Sequence, residues 1–228
     1  MRTQLKFDEL NRLGGQGGGK KPIPYREFFG KMHISVAQMK RRIEIAEAFE
    51  DAMLYVFAYW LIRDDLGLSV TDMKKITHER LNAVYERYTK SDEYLDKHLN
   101  DLVNEIIDVT EKHTAVSTDG EPDTKTDADV GYWTSLDRAQ VISENEANAF
   151  ENYNEYKQAR TGGRLHKTWL TENDERVRET HTLVEGKTVD VDGLFLVGES
   201  LMRFPMDTMY DPDPSEVINC RCACIYEP

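Results

Sequence analysis

Chemically useful side chains are concentrated near the end of the chain, where three cysteines fall within five positions. Cys220 and Cys222 could place two thiolates on one cation, with His181 as a third ligand. Zinc favours tetrahedral coordination by sulfur and nitrogen, so the pattern predicts a candidate zinc site. The fourth ligand could be Asp174, Asp207, His166 or Cys224. A bound ion would add folding free energy to a small unit with a thin core.

The same residues have a simpler interpretation, in which the cysteines are core side chains and His181 hydrogen-bonds the backbone. The C-x-C spacing is tighter than that of most zinc sites, and two such residues on a strand would point to opposite faces. Buried free cysteine mostly behaves as a small hydrophobe. The residues therefore favour the core interpretation, and we predict no cofactor, with zinc as the alternative.

Catalysis by a nucleophile or by paired acids finds little support in the sequence. A Cys-His pair can act as nucleophile and base, yet no catalytic signature surrounds Cys220. Glu144 and Glu146 lie two apart on a predicted helix, and side chains at that spacing do not share a face. We therefore predict a protein that acts by binding and is not an enzyme.

Arginines form a second cluster in the same region. Arg176, Arg178 and Arg221 could join Asp174 and Glu179 in a network of ion pairs that holds the strands together. Alternatively, their forked guanidinium groups could bind phosphate or an acidic partner. The structural network is the favoured interpretation of this cluster.

Charge is unevenly distributed along the chain. The net charge is −13, yet residues 1–42 carry ten lysines and arginines against three acids. A basic arm before an acidic body could meet phosphate or an acidic protein surface, or could serve only as a solvated tail. The acidic body argues against broad DNA binding by the whole protein. The residues predicted to contact DNA or a partner are Lys20, Lys21, Lys40, Arg41 and Arg42.

The elements that position these side chains are mostly helices. Apolar spacing and capping residues predict four of them, which begin near Ser35, Thr71, Ser91 and Ser135. From Arg164 onward, short apolar segments alternate with turns, which indicates short strands. The predicted fold class is α+β, with a helical N-terminal half and a small C-terminal α+β unit of short antiparallel strands. In that unit Trp169 is predicted to anchor the core, with its N–H bonded locally.

Composition divides the chain into four predicted regions. Residues 1–30, with a glycine-rich run, are a flexible basic arm, and residues 31–113 are helical. Residues 114–131, rich in Thr, Asp, Gly and Pro, form a surface loop, and residues 132–228 hold a helix and the α+β unit. The longest uncharged apolar run, Ala52 to Ile62, is well short of the ~20 residues that span a membrane. No membrane partner is predicted.

An ordered set of short motifs runs through the last third of the chain. It begins with Lys167-Thr168-Trp169, Asn173-Asp174-Glu175-Arg176-Val177-Arg178 and Glu179-Thr180-His181. It continues with Phe204-Pro205-Met206-Asp207 and ends with Val217-Ile218-Asn219-Cys220-Arg221-Cys222. In this order, and over roughly residues 135–226, the motifs resemble the phage Mu F-like head morphogenesis or minor capsid proteins. That family commonly has Thr-Glu where this chain has Ser143-Glu144, and often has glycine in place of Met206.

The resemblance implies a minor head protein of a tailed bacteriophage that acts in procapsid assembly near the portal. Its implied partners are the portal protein, a scaffold or the major capsid protein, and the basic arm could also reach packaged DNA. The implied location is the virion head or portal vertex, after synthesis in the host cytoplasm. Two other functions stay open: a virion-carried effector or toxin-like protein, and a zinc-dependent nucleic-acid-binding module.

Overall fold

A computed structural model describes residues 23–114 and 131–228 of the chain. Most of the predicted basic arm, including Lys20 and Lys21, lies outside the described residues, and so does nearly all of the predicted surface loop. Within the described parts of the chain, no helix combines the length and the hydropathy that crossing a membrane requires.

The described residues fall into two compact units. One holds residues 47–143, and the other combines residues 23–46 with residues 144–228. The sequence predicts residues 23–46 in the arm and the helical region, whereas the structure groups them with the C-terminal residues. The α+β class is confirmed, because helices dominate the N-terminal half and short antiparallel strands follow.

Four long helices correspond to the four predicted ones. Their bounds are α2 Val36–Leu61, α3 Val70–Tyr88, α4 Glu93–Thr114 and α5 Leu136–Thr161, after a short α1 at Tyr25–Gly30. Ser35 opens α2 with a capping box, since its Oγ accepts from Gln38 N at 3.2 Å and Gln38 Oε1 accepts from Ser35 N at 2.8 Å. Ser135 caps α5 in a similar way, because its Oγ accepts from Arg138 N at 3.2 Å.

Two of the predicted caps are displaced by one or two residues. Ser69, not Thr71, caps α3, because its Oγ accepts from Asp72 N at 3.1 Å. At the start of α4, Leu95 N donates to Asp92 Oδ1 at 3.2 Å, so Asp92 makes the bond predicted for Ser91. Asx and hydroxyl side chains are interchangeable as caps, so their type alone does not choose among close neighbours.

The unit of residues 47–143 has a core of aromatic and aliphatic side chains. Phe49 on α2 meets Tyr85 on α3 edge-on, with ring centroids 5.3 Å apart. Arg138 on α5 is also buried, and its Nη1 donates to Thr110 Oγ1 and to Trp133 O at 2.6 Å each. Burial lowers the pKa of Arg138 to about 10. Packing and these internal bonds hold the helices of this unit together.

The other unit builds two small antiparallel sheets. Their strand orders are β2-β1-β5 and β3-β4. The strands are β1 His166–Leu170, β2 Thr188–Asp190, β3 Phe195–Val197, β4 Ser200–Met202 and β5 Ala223–Glu227. Two short helices, α6 Glu179–Thr182 and α7 Pro214–Val217, lie between strands. In the register of β1 with β5, Trp169 stands opposite Cys224.

The core of this unit surrounds Trp169, which is fully buried as predicted for an anchor. Its core neighbours include Ala149, Val184, Phe195, Val197, Met202, Met206, Cys220, Cys222 and Cys224. All three cysteines are buried free thiols. The cysteines are therefore buried, as the core interpretation predicts.

Residues 25–30 belong to this unit rather than to a flexible arm. Phe28 and Phe29 on α1 are buried and meet edge-on, with ring centroids 5.0 Å apart. Burial of two aromatic rings fixes the segment, because large apolar area leaves water. The arm predicted for residues 1–30 therefore does not extend through α1.

Candidate metal centre

Three predicted ligands meet in the C-terminal unit. His181 Nδ1 lies 3.3 Å from Cys222 Sγ and 3.7 Å from Cys220 Sγ. The three ligand atoms all lie within 4.8 Å of one another. Bonds of ~2.0 Å to nitrogen and ~2.3 Å to sulfur in a tetrahedral zinc site give an N···S separation of ~3.5 Å. Both sulfurs therefore stand at a distance from the nitrogen that suits a shared ion.

The C-x-C segment lies before strand β5, which begins only at Ala223. Asn219 has a φ of 58°, in the left-handed region that asparagine tolerates better than most residues. Asn145 on α5 holds this turn, because its Nδ2 donates to Asn219 Oδ1 at 3.1 Å and its Oδ1 accepts from Asn219 N at 2.5 Å. Since neither cysteine is in the strand, the rule of opposite faces does not separate the sulfurs, and both reach His181.

The other ring nitrogen of His181 is held by a carboxylate. His181 Nε2 lies 3.0 Å from Glu216 Oε2 on α7, and Thr180 Oγ1 donates to the same oxygen at 2.7 Å. A carboxylate on the far nitrogen orients the ring of many metal-binding histidines. The histidine therefore bonds side chains on both nitrogens, where the core interpretation predicts a backbone partner.

Gly198 leaves the space that Glu216 occupies. Its φ of 60° lies in the left-handed region, and a Cβ built there would stand 2.7 Å from Glu216 Oε1. A larger residue would have to push the carboxylate away from its place beside His181. Both the backbone conformation and the close approach therefore call for glycine.

Protons are unevenly shared within the cluster. A hydrogen bond from Cys222, opposed by burial and assisted by His181, holds the pKa of Cys220 well below its usual range. The same bond and burial raise the pKa of Cys222 well above its usual range. Burial alone would lower the pKa of His181, but its contacts with Cys220 and Glu216 outweigh burial and raise it. The contacts around Cys220 favour its thiolate, and thiolate is the form that binds metals.

Asparagines on α5 hold the backbone of the cysteine segment. Asn148 Nδ2 donates to Cys220 O at 2.9 Å, and Asn152 Nδ2 donates to Cys222 O at 3.2 Å. This stretch of α5 is polar in sequence yet buried, and Glu144 of the family motif is only 4% exposed. The buried polar face of α5 therefore bonds the backbone carbonyls of the cysteine segment and does not face solvent.

Arg42 on α2 binds the amide oxygens of Asn148 and Asn152, and its side chain is 0% exposed. Its Nε donates to Asn148 Oδ1 and its Nη2 to Asn152 Oδ1, both at 3.0 Å, while Nη1 donates to Glu155 Oε1 at 2.7 Å. Because the amide oxygens accept from Arg42, the amide NH₂ groups are left to face the cysteine carbonyls. This burial removes Arg42 from the predicted contacts with DNA or a partner.

The other basic residues predicted to contact DNA or a partner differ in their surroundings. Lys40 is exposed, and Arg41 is partly exposed with its Nε 3.1 Å from Glu151 Oε1. Lys20 and Lys21 lie outside the described residues. Of the predicted set, Lys40 and Arg41 are therefore the members that the structure places where a partner could reach them.

Of the three arginines in the predicted ion-pair network, Arg221 forms carboxylate pairs, whereas Arg176 and Arg178 form none among the described residues. Arg221 makes two bonds to the carboxylate of Asp174, at 2.9 and 2.7 Å, and pairs with Glu172. Glu172 takes the place predicted for Glu179, which is exposed in the first turn of α6. The guanidinium group of Arg221, the residue between the two cysteines, therefore binds carboxylates of its own unit.

None of the four side chains proposed as a fourth ligand belongs to the cluster of described ligand atoms. Besides Asp174, Asp207 is also engaged, because it accepts from Arg203 Nε and Nη2 at 2.7 and 2.8 Å. His166 is exposed, with its Nδ1 3.4 Å from Asp190 Oδ1. Burial raises the pKa of the Cys224 thiol, which disfavours the thiolate that a metal needs.

Lys167 and Trp169 of the first motif are both fully buried on β1. Lys167 Nζ donates to Val191 O at 2.6 Å, and burial lowers its pKa to about 8. The Trp169 ring meets His181 edge-on, with centroids 5.8 Å apart. Its N–H makes no hydrogen bond within the described part of the chain, although it lies close enough to Cys222 to favour the thiolate. The local bond predicted for this N–H is therefore absent.

The Pro205-Met206-Asp207 turn has a backbone conformation at its middle position that favours glycine. Met206 has a φ of 68°, in the left-handed region, where a side chain costs ~1–2 kcal/mol. Its side chain is nevertheless buried in the core of the unit. Apolar burial here offsets the backbone cost, so the chain keeps the turn with methionine in place of glycine.

A pocket opens from solvent onto the three ligand candidates. Its wall also includes Glu172, Arg176, Arg178 and Asn219. Arg176 is exposed, and Arg178 donates from Nη2 to Ile218 O. The pocket offers an ion a path to the sulfurs and leaves solvent beside them.

Glu172 carries a perturbed carboxyl group at the edge of this pocket. Its pKa is raised to about 7, because burial outweighs the attraction of Arg221; Asp174 adds to the rise, while Lys31 and Arg176 oppose it. A carboxyl whose folded pKa exceeds its unfolded value stabilises the fold below the unfolded pKa. It loses that contribution as pH rises through the folded value. For Glu172 the window therefore runs from about 4.5 to about 7.

Substituting Glu172→Gln should flatten the pH dependence of unfolding within that window. The wild-type free energy of unfolding is expected to fall by up to about 3 kcal/mol relative to the variant as pH rises. Urea denaturation of both proteins at a series of pH values between about 4.5 and 7.5 measures the difference. The exposed neighbour Glu175→Gln is the control, and parallel pH profiles for wild type and Glu172→Gln would contradict the expectation.

Several functional residues were missed from the sequence. Glu216 and Gly198 lie far from His181 along the chain, and no local pattern joins them to it. Asn148 and Asn152 did leave a signal, because with Asn145 they recur at the spacing of one helix face. When several asparagines share one face of a partly buried helix, their side-chain amides are expected to bond backbone groups rather than water.

Helices are followed in this chain by a small α+β unit that closes on an Asn-Cys-Arg-Cys segment, and this is the part of the chain that carries the motif resemblance. The model of the family described as phage Mu protein F like matches residues 64–225. Since this match covers well over half of the chain, the protein belongs to the phage Mu protein F like family. The match begins before the resemblance seen in the motifs and takes in α3 and α4. Searches of the curated proteins and of the solved structures returned no match.

Proposed function

We propose that the protein is a minor head protein that enters the procapsid near the portal vertex and acts there by binding. The observation that carries the proposal is the family match over residues 64–225, because this family is one of phage head morphogenesis. The partners proposed for it are the portal protein, a scaffold or the major capsid protein. Catalysis by the cysteines is not part of this proposal, because both sulfurs approach one imidazole nitrogen, and a Cys-His nucleophile uses only one thiol.

Quantitative mass spectrometry of purified virions and of empty procapsids tests this function. Both should contain the protein at a few copies per particle, and particles from a phage lacking its gene should assemble poorly. Crosslinking within procapsids would then identify the neighbour, with the portal protein as the expected product. Absence of the protein from both particles would contradict the proposal and favour an effector role outside the head.

We further propose that the basic arm contacts packaged DNA. A chain that lacks residues 2–22 keeps α1, whose buried phenylalanines belong to the folded unit, and so removes the arm alone. Fluorescence anisotropy with duplex DNA should show binding by the full chain that weakens steeply with salt, and little binding by the shortened chain.

Unchanged or salt-independent binding by the shortened chain would exclude the arm as the DNA contact. Binding that instead disappears after chelation of metal would favour the zinc-dependent nucleic-acid-binding function. A shortened chain that also carries Lys40→Gln tests the one exposed lysine of the predicted set that remains in the described residues.

A further inference from the structure

We propose that His181, Cys220 and Cys222 form a zinc site whose fourth position faces the adjoining pocket. The site stands on the geometry of this unit and does not depend on the head-protein function. Its ligand set of two thiolates and one imidazole is the kind that zinc prefers over magnesium or calcium.

The bonds around His181 distinguish a metal ligand from a core histidine. Two sulfurs approach Nδ1 at 3.3 and 3.7 Å, whereas a neutral or charged ring has at most one proton to donate there. A zinc ion between the three atoms would satisfy both sulfurs together. Glu216 meanwhile accepts from Nε2 at 3.0 Å, which fixes Nδ1 as the free ligand atom.

The second sulfur also distinguishes a metal site from a nucleophile. A Cys-His nucleophile needs one thiol, a base and access for substrate. Here both thiols point at one nitrogen and both are buried, so one of them would have no role in such a mechanism. In a zinc site each sulfur is a ligand, so both thiols have a role.

The indole of Trp169 provides a buried hydrogen-bond donor beside the ligand cluster. Its N–H is a donor with no hydrogen-bond partner among the described atoms, although the ring is fully buried beside His181. A zinc-bound sulfur carries the negative charge that would make it an acceptor for this N–H. A buried donor without an acceptor is thus explained when the sulfurs hold a metal.

The fourth coordination position of the proposed zinc ion would face the pocket. None of the described acids, histidines or cysteines joins the three as a further ligand, and the pocket places solvent beside them. Water drawn from the pocket would complete the tetrahedron. Zinc binding would release to solvent whatever protons the two sulfurs and Nδ1 carry, while the proton on Nε2 remains on that nitrogen and is donated to Glu216.

Metal analysis of the full-length chain, purified without a histidine tag or chelator, tests the proposal. Elemental mass spectrometry should find about one zinc per chain. Reconstitution with Co²⁺ should give thiolate-to-cobalt absorption in the near ultraviolet and tetrahedral bands in the visible. Cys220→Ser and Cys222→Ser should lose most of the zinc, whereas Cys224→Ser should keep it, because Cys224 is an equally buried thiol outside the cluster.

Two further measurements keep the test decisive if the serine variants fail to fold. Wild type that remains free of zinc after refolding with excess metal, and that gives no thiolate absorption with Co²⁺, overturns the proposal. Equal zinc in wild type and in a folded Cys220→Ser/Cys222→Ser double variant overturns it as well. Glu216→Gln, which changes the partner of His181 Nε2, should weaken zinc binding by about 10–100-fold in a chelator competition and leave the stoichiometry unchanged.

Discussion

The substitution Arg42→Ala is expected to lower the free energy of unfolding of the C-terminal unit by about 3–5 kcal/mol. The guanidinium group is fully buried and donates to Asn148, Asn152 and Glu155. Its removal leaves a carboxylate without its cation and two amide oxygens without their donor, and such groups are costly in a dry interior. Urea unfolding of the full chain measures the loss, and hydrogen exchange of β1 and β5 assigns it to this unit.

The adjacent residue supplies a matched control. Arg41→Ala removes the same charge one position away, but Arg41 is partly exposed and its partner Glu151 also accepts from Asn154 Nδ2 at 3.2 Å. The expected loss is about 1–2 kcal/mol, smaller than for Arg42→Ala, because the buried Glu151 carboxylate loses its cation but keeps Asn154 as a donor. Equal losses of unfolding free energy for the two variants would contradict the expectation. They would show that the loss comes from removing a charge from α2 and not from the bonds of Arg42 to Asn148 and Asn152.

The substitution Asp207→Ala is expected to cost about 3 kcal/mol or more. Its carboxylate is fully buried and accepts from Arg203 N, Nε and Nη2 at 2.9, 2.7 and 2.8 Å and from Met209 N at 3.1 Å. Alanine leaves these donors without that acceptor and also releases the turn at Met206. Urea unfolding again gives the value, and Asp207→Asn should recover part of the loss because its amide oxygen can still accept.

A second Asp–Arg pair in the same unit tests whether burial sets the size of this effect. Asp192 and Arg160 approach to 2.5 Å, but their side chains are 63% and 52% exposed. Asp192→Ala is therefore expected to cost less than about 1 kcal/mol. If Asp207→Ala proved as mild as Asp192→Ala, the turn would owe its stability to packing and not to the carboxylate.

Local signals in the sequence predicted the helices and the ligand types well. The Ser35 box and the apolar repeats along α2 act within a few residues, so they can be read without knowing the fold. His181, Cys220 and Cys222 stood out by residue type, because few side chains bind metals through sulfur and nitrogen. Their convergence depended on the left-handed turn at Asn219, which the sequence indicates only weakly.

Long-range contacts explain what the sequence did not predict. Arg42 lies in a run of basic residues and was assigned to the surface, since its partner Glu155 stands 113 residues further along the chain. Glu216 reaches His181 across 35 residues, and nothing near it marks it as a partner. Burial of a charged side chain is a property of the folded neighbourhood, so pattern and composition cannot reveal it.

The C-terminal unit draws on both ends of the described chain, and this affects how it can form during translation. Arg42 leaves the ribosome long before Glu155, and at about 5–20 residues per second the delay is roughly 5–25 seconds. Throughout that interval the arginine has none of its acceptors, so α2 must wait for α5 before the cysteine segment gains its support. A shortened gene that starts after residue 46 would encode the ligands without this support, and its product should aggregate or be degraded.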